Sequence, residues 1–130
     1  MGSDTADAME RPPAVSAYLP LVVLTNRSDF VRASTARRQG TSGIHLQARH
    51  RAEGEAEGIR VGLTCSKKVG NSVARNRAKR RLREVARLVL PTEGRDGWDY
   101  VLVGRNTVTA ELPFPELVND LRRALVKVHA

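Results

Sequence analysis

Cysteine is almost missing from this chain. Cys65 stands alone among 130 residues, so no intrachain disulfide can form and no cysteine-based zinc site can be built. Aromatic side chains are scarce as well: Tyr18, Phe30, Trp98, Tyr100 and Phe114 are the whole set, which leaves little to stack on nucleobases. No apolar run approaches the roughly 18 residues a membrane span needs. The nearest, AVSAYLPLVVL at 14–24, is interrupted by Pro20. A secretory signal starts with basic residues, whereas the first ten positions carry Asp4, Asp7 and Glu10 and neither Lys nor Arg. The expectation is a soluble, cytoplasmic protein with no membrane partner.

Clustered metal ligands are missing too. A protein-only metal nuclease needs several carboxylates converging on a metal pair. Here the acids concentrate near the N-terminus and in 53–57, with others spread singly. His45, His50 and His129 are not spaced as a ligand set and read as ordinary surface histidines. Gly54 and Gly58 are followed by no Lys-Ser/Thr pair, so they form no phosphate loop. Cys65 alternates with polar positions and reads as a core thiol, and Trp98 and Tyr100 read as packing residues.

What the chain does have is positive charge, gathered in one place. Residues 67–87, KKVGNSVARNRAKRRLREVAR, hold nine Lys or Arg with Glu84 as the only acid. Elsewhere 13 basic residues are balanced by 13 acidic ones, so the net charge of +8 belongs to this segment. A localised anionic partner follows more naturally than a generally basic surface.

The length suits one domain. Residues 1–20 are small, acidic and Pro-punctuated, and read as a disordered or loosely attached tail ahead of a single domain over 21–130. SDFVRASTARRQG, 28–40, starts with a possible Ser28 cap and stops at Gly40, predicting a short helix. GIHLQARH, 43–50, and IRVGLTCS, 59–66, alternate as strands on either side of a polar, Gly-spaced loop at 51–58. A helix is predicted from a cap at Asn71 or Ser72 to Leu90, ended by Pro91. DYVLVGR, 99–105, predicts a buried strand. PELVNDLRRALVKV, 115–128, predicts an amphipathic helix with Pro at its first position. The order helix, strand, strand, helix, strand, helix gives an α/β class fold, an α+β two-layer sandwich with a small central sheet and helices packed on it.

At about 100° per residue, Ala74, Ala78, Leu82, Val85 and Val89 fall within an arc of about 80° and would dock on the sheet. Opposite lie Asn76, Arg77, Arg80, Arg83 and Arg87, while Arg75 and Lys79 flank the apolar stripe on one side and Arg81 on the other. Like charges at i and i+4, such as Arg77/Arg81, Lys79/Arg83 and Arg83/Arg87, each cost about 0.2–0.5 kcal/mol of helix stability. Basic residues near the helix start also oppose the macrodipole. Such a face makes sense when a polyanion neutralises it. Six of the nine cations are Arg, whose fork matches phosphate oxygens. The opposite stripe is core-like Ala, Val and Leu rather than bulky lipid anchors. Nucleic acid is therefore favoured over lipid, read through its backbone and shape.

The order of residues goes further. RVGLTCSKKVGNSVARNRAKRRLRE, 60–84, resembles the signature of the bacterial ribonuclease P protein component. That family has a Ser/Thr-Lys-Lys-x-Gly-x-x-Val run followed by Arg-Asn-Arg-x-Lys-Arg-x-x-Arg. Ser66, Lys67, Lys68, Gly70, Val73, Arg75, Asn76, Arg77, Lys79, Arg80 and Arg83 stand at those positions. SDFVRA resembles the family's N-terminal helix motif, DYVLVGR its later strand and 115–128 its closing helix. Two departures are an acidic, Pro-rich start and Ser34 where many members have a second aromatic.

The resemblance implies the small subunit of a ribonucleoprotein that removes the 5′ leader of precursor tRNA. The chemistry would belong to the ribonuclease P RNA and to Mg²⁺ held mainly by that RNA and the substrate, with no protein partner required. It also implies a left-handed crossover around the charged helix. Arg75, Asn76, Arg77, Lys79, Arg80 and Arg83 would contact RNA, joined by Arg87 on the same face. Lys67 and Lys68 would join them from the turn between cleft and helix. Phe30 and Ser66 would line a cleft for the single-stranded leader. The alternative is a non-catalytic RNA-binding protein of ribosomal or RNA-chaperone type, which would explain the basic helix but not the whole string.

Overall fold

The structure is a computed structural model that describes residues 21–65, 70–105 and 107–130. Its elements run β1 (Leu21–Val23), α1 (Arg27–Ser34), β2 (Arg37–Gly40), β3 (Ile44–His50), β4 (Ile59–Thr64), α2 (Ser72–Glu93), β5 (Trp98–Gly104), α3 (Val108–Glu111) and α4 (Phe114–Val128). The five strands form one mixed sheet in the order β1-β4-β5-β3-β2. β1, β4 and β5 are parallel, while β3 and β2 run antiparallel to their neighbours. The adjacent strands β4 and β5 are joined through α2.

Period-two alternation sorts the sheet's two faces. Ile44, Leu46 and Ala48 of β3, Ile59 and Val61 of β4, and Trp98, Tyr100 and Leu102 of β5 form one core with α2 and α4. From α2 this core takes Leu82, Val85, Ala86, Val89 and Leu90, and from α4 Leu117, Leu121, Ala124, Leu125 and Val128. The opposite face is smaller: α1 packs Phe30 and Ala33 with Leu24, Val101 and Val103. The sheet therefore carries two long helices on one side and a short one on the other. No helix among the described residues is long and apolar enough to cross a membrane.

Three boundaries differ from the sequence expectations. The helix expected over 28–40 stops at Ser34, and Arg37–Gly40 forms β2, paired in register from Arg37↔Ala48 to Gly40↔His45. Tertiary contacts override local pattern here. The Arg37 guanidinium lies 5.6 Å over the Trp98 ring and donates to the Val128 carbonyl at 2.5 Å. The β2–β3 turn is held by Asp120 of α4, whose Oδ2 accepts from the Gly43 amide at 2.8 Å and from Ser42 Oγ at 3.0 Å. The cap of α1 is Asn26, not Ser28.

Pro91 does not end α2, which continues to Glu93. Proline disfavours helical geometry at the residue before it. Leu90 nevertheless stays helical because it is fully buried in the core, and its carbonyl accepts from the Gly94 amide. β1 and α3 are too short for any periodicity to announce them. Residues 1–20, which carry the expected tail, lie outside the described residues.

Candidate nucleic-acid interface

α2 begins at Asn71, whose Oδ1 accepts from the Ala74 amide at 2.9 Å. This satisfies one of the free donors of the first turn. Ala78, Leu82, Val85 and Val89 are fully buried as the stripe predicts, and Ala86 and Leu90 widen it. Ala74, nearer the helix start, is half-buried. Asn76, Arg77, Lys79, Arg80, Arg83 and Arg87 are exposed, and Arg75 is half-buried. Along this face Arg87 meets Glu84 at 3.2 Å in an exposed pair, too solvated to neutralise the row. Among the described residues Arg77, Lys79, Arg80 and Arg83 have no acidic partner within salt-bridge distance. Arg81 is turned inward, donating to the Leu112 carbonyl and lying 5.9 Å over the Phe114 ring, so it ties α2 to α4. Ser66, Lys67 and Lys68 lie outside the described residues.

Cys65 closes β4 with its Sγ over Gly104, where an added Cβ would come within 2.5 Å. Burial pushes its thiol pKa up, which leaves it a poor nucleophile.

Phe30 lies on the other side of the sheet. A Cβ at Gly62 would come 2.5 Å from Phe30 Cε1, so the glycine is what lets the ring lie against β4. The ring remains half-buried. Ser34, one turn on, donates its hydroxyl to the Val31 carbonyl at 2.6 Å and offers no stacking surface.

Sequence reasoning missed two groups on this face. The first surrounds Asp99, a fully buried carboxylate. Its Oδ1 accepts from Arg51 Nη1 at 2.6 Å and Arg60 Nε at 2.8 Å, and its Oδ2 from Arg60 Nη2 at 2.9 Å. Arg49 adds a longer contact at 3.4 Å and pairs with Glu55 at 3.0 Å. Arg60 also reaches Asp29 of α1 at 3.4 Å, and Arg32 bonds the same Asp29 oxygen at 2.9 Å. The Arg32 hydrogen bond holds the Asp29 carboxyl below its usual pKa despite burial, and the Arg60 charge adds to it. α1 is thus fastened to the sheet by an ionic chain from Arg32 through Asp29 and Arg60 to Asp99.

The second group is Arg38, His45 and Arg105, on the same face of the sheet. Arg38 pairs with Gln47 and Gly40 with His45, and these positions share His45's face of the sheet. An added Cβ at Gly40 would come 3.2 Å from Arg105 Nη1, so the glycine gives the guanidinium room. Burial first, then the Arg105 and Arg38 charges, hold the His45 pKa below its usual value. Alternation had already placed His45, Gln47 and Arg49 on one face. Their cationic neighbours are brought there by pairing register, Arg38 from the adjoining hairpin strand and Arg105 from beyond β5.

His129 is not the ordinary surface histidine expected. Its Nε2 lies 2.7 Å from the Tyr100 hydroxyl, which also accepts from the Arg95 amide at 2.9 Å. Burial pushes the Tyr100 pKa up to about 12, so the phenol keeps its proton. His50 stacks on Trp98 with ring centroids 5.0 Å apart.

A mixed sheet carrying a long helix with an exposed arginine row, and further arginines on its opposite face, defines an α+β protein of the RNA-binding class. The Ribonuclease P family model matches residues 21–129. A ribonuclease P protein component from Ruegeria pomeroyi is 67% identical over 121 residues, covering 92% of this chain and 97% of that relative. One from Paramagnetospirillum magneticum is 48% identical over 111 residues, covering 82% of each. In three dimensions the chain is similar to the RNase P protein of Staphylococcus aureus, with TM-score 0.65 at 22% identity over 81% of this chain and 93% of that one. The Thermotoga maritima RNase P protein gives TM-score 0.62 at 19% identity, over 75% and 87% of the two chains. These two likenesses carry the fold alone. The chain belongs to the bacterial ribonuclease P protein family, the protein component that works with an RNA subunit in the endoribonuclease for tRNA 5′ maturation.

Proposed function

We propose that this chain binds the ribonuclease P RNA through the exposed face of α2 and the 5′ leader of precursor tRNA through the opposite face of the sheet. Together these contacts assist removal of the leader in the bacterial cytoplasm. The observation that carries the reading is the row Arg77, Arg80 and Arg83, left without acidic partners among the described residues on a helix whose other side is fully engaged in the core. Asn76, Arg75, Lys79 and Arg87 extend the same surface, and Lys67 and Lys68 precede it in sequence. On the leader side, Phe30 supplies a half-buried ring, Arg38 and Arg105 supply cations for a strand's phosphates beside a His45 whose pKa is held down, and Ser66 follows β4 in sequence.

The three buried carboxylates among the described residues are already engaged within the fold. Asp29 and Asp99 are engaged by arginines, and Asp120 by Ser42, the Gly43 amide and Arg123. Among the described residues no group of three or more His, Cys, Asp or Glu is arranged to hold a metal ion. In this reading Mg²⁺ is held by RNA phosphates, and the protein's part is to bind, to orient and to relieve charge repulsion between two RNAs. No further protein is required. The test is to combine the chain with a bacterial ribonuclease P RNA and precursor tRNA at low Mg²⁺. Enhanced cleavage at the mature 5′ end is expected; no enhancement would reject the reading, and cleavage by the protein alone would return the nuclease to the protein.

A further inference from the structure

Between α2 and the edge strand β1 runs a trough of about 470 Å³. Its floor is apolar, made by Leu21, Val23, Leu24, Val61, Leu63 and Ala86, and one wall is Lys79, Arg83 and Arg87. These three cations recur at every fourth residue, so they rise along the helix in steps of about 6 Å. Val23 is 66% exposed at the lip, an unusual position for a branched apolar side chain beside so much charge. Nothing in an RNA duplex exterior explains this floor, because a duplex presents phosphates and sugars there and keeps its bases stacked. An unstacked base has an apolar face to bury and phosphates on either side of it.

We propose that the trough receives an unpaired nucleotide of the RNA subunit, its base against Val23, Leu21 and Leu63 and its flanking phosphates on Lys79, Arg83 and Arg87. The proposal rests on the reading that α2 faces the RNA subunit, and adds a second kind of contact to it. Charge complementarity chooses the occupant: Lys79 and Arg83 have no acidic partner among the described residues, and an apolar peptide would leave them uncompensated. The position of the trough chooses which RNA. It opens between α2 and the edge strand β1, beside the arginine row that faces the RNA subunit in this reading, whereas Phe30, Arg38 and His45 lie across the sheet. A nucleotide held this way gives the protein a register along the RNA that phosphate contacts alone lack, since those are alike at every step.

The test compares three full-length variants in binding to the RNA subunit without precursor tRNA. Val23→Asp puts a carboxylate into the trough, and Val22→Asp adds the same charge one residue away on the opposite face of the strand. Arg80→Ala removes a phosphate contact outside the trough. Circular dichroism and a melting curve establish that each variant is folded. The proposal expects Val23→Asp to lose at least tenfold in affinity and Val22→Asp less than twofold. It also expects one or two unpaired nucleotides, protected from chemical probing by the wild-type protein, to become reactive with Val23→Asp. Equal losses in the two aspartate variants, or an unchanged protection pattern, would overturn it. Loss with Arg80→Ala but not with Val23→Asp would leave α2 as the RNA face and dismiss only the trough. If neither weakens binding, both readings fall. If removal of residues 1–20 tightens binding while Val23→Asp changes nothing, the trough belongs to the chain's own acidic tail, and the nucleotide proposal is wrong.

Discussion

On one side of the sheet α2 presents Arg77, Arg80, Arg83 and Arg87 with Glu84 as their only acidic neighbour on the helix. On the other, Arg49, Arg51 and Arg60 converge on Asp99, with Arg32, Asp29 and Glu55 completing the set. The two regions use the same residue type to opposite ends. Around Asp99 each guanidinium has lost water and is repaid by a carboxylate, so the charges hold the fold and are closed to a partner. On the outer face of α2 Arg77, Arg80 and Arg83 keep their water, have no carboxylate to hold them to the fold, and remain open to an anion. Arginine count alone does not separate a structural cluster from a binding surface; the local supply of carboxylate and the burial do.

The largest expected contrast is in stability. Asp99→Asn keeps the side chain's size but strands Arg51, whose side chain is 1% exposed, without its counter-charge. A loss of about 3–5 kcal/mol is expected, the cost of breaking a buried pair from one side. Arg80→Ala should stay within about 0.5 kcal/mol of wild type, as exposed substitutions do. Denaturant unfolding of both checks this, and equal losses would erase the distinction between the regions.

The contrast reverses in RNA binding. Arg80→Ala or Arg83→Ala should each reduce the slope of log affinity against log salt by about 0.7–0.9, one phosphate contact's worth. Asp99→Asn, measured where it is still folded, should leave the slope unchanged. Should the arginine variants keep the full slope, those side chains point to solvent in the complex.

A more modest effect is expected at Phe30. Phe30→Ala should weaken binding of leader-bearing tRNA more than of mature tRNA, measured with the reconstituted ribonucleoprotein. Equal losses would assign the ring to packing on Gly62 and nothing more.

The smallest difference concerns protons. The folded body contains His129, whose pKa is pushed down to about 4, chiefly by burial and then by the Arg95 and Arg37 charges. Its folded value lies below the ordinary 6.5, so the unfolded chain binds the proton more readily. The stability supplied by the neutral ring is complete above about pH 6.5 and declines as pH falls from there to about 4. His45 acts in the same direction. Asp29, with its pKa depressed, gives way only under more acidic conditions, as pH falls below the ordinary carboxylate value of 3.8. Melting temperatures at pH 7 and pH 5 should therefore differ less in His129→Gln than in wild type; an equal difference would place the titration elsewhere.

Much of α2 was legible before any coordinates. Its apolar stripe, a cap at Asn71 or Ser72 and its outward arginines follow from helical period and local chemistry, which involve residues a few positions apart. The same holds for the alternation of β3, β4 and β5. The Asp99 cluster was not legible, because Arg51, Arg60 and Asp99 are brought together by strand pairing and look like scattered surface charges in one dimension. β2 was hidden inside an apparent helix for a similar reason: Arg37 belongs with Trp98 and the end of α4, and only those contacts make an extended backbone the better choice there. Pro91 misled by applying a local rule where Leu90's burial outweighs it.

By itself the sequence determined where the excess charge lies, that it rides a helix with one core-facing side, and, through the order Ser66 to Arg83, the family to which that helix belongs. All of these are carried by neighbours along the chain, where the helix's own geometry relates one residue to the next. The tertiary structure alone decided which arginines are neutralised and which are free, where Phe30 lies, and that a trough opens between β1 and α2. Those depend on which distant strands meet and in what register, and pairing register is set by the burial of the whole sheet rather than by any stretch of it.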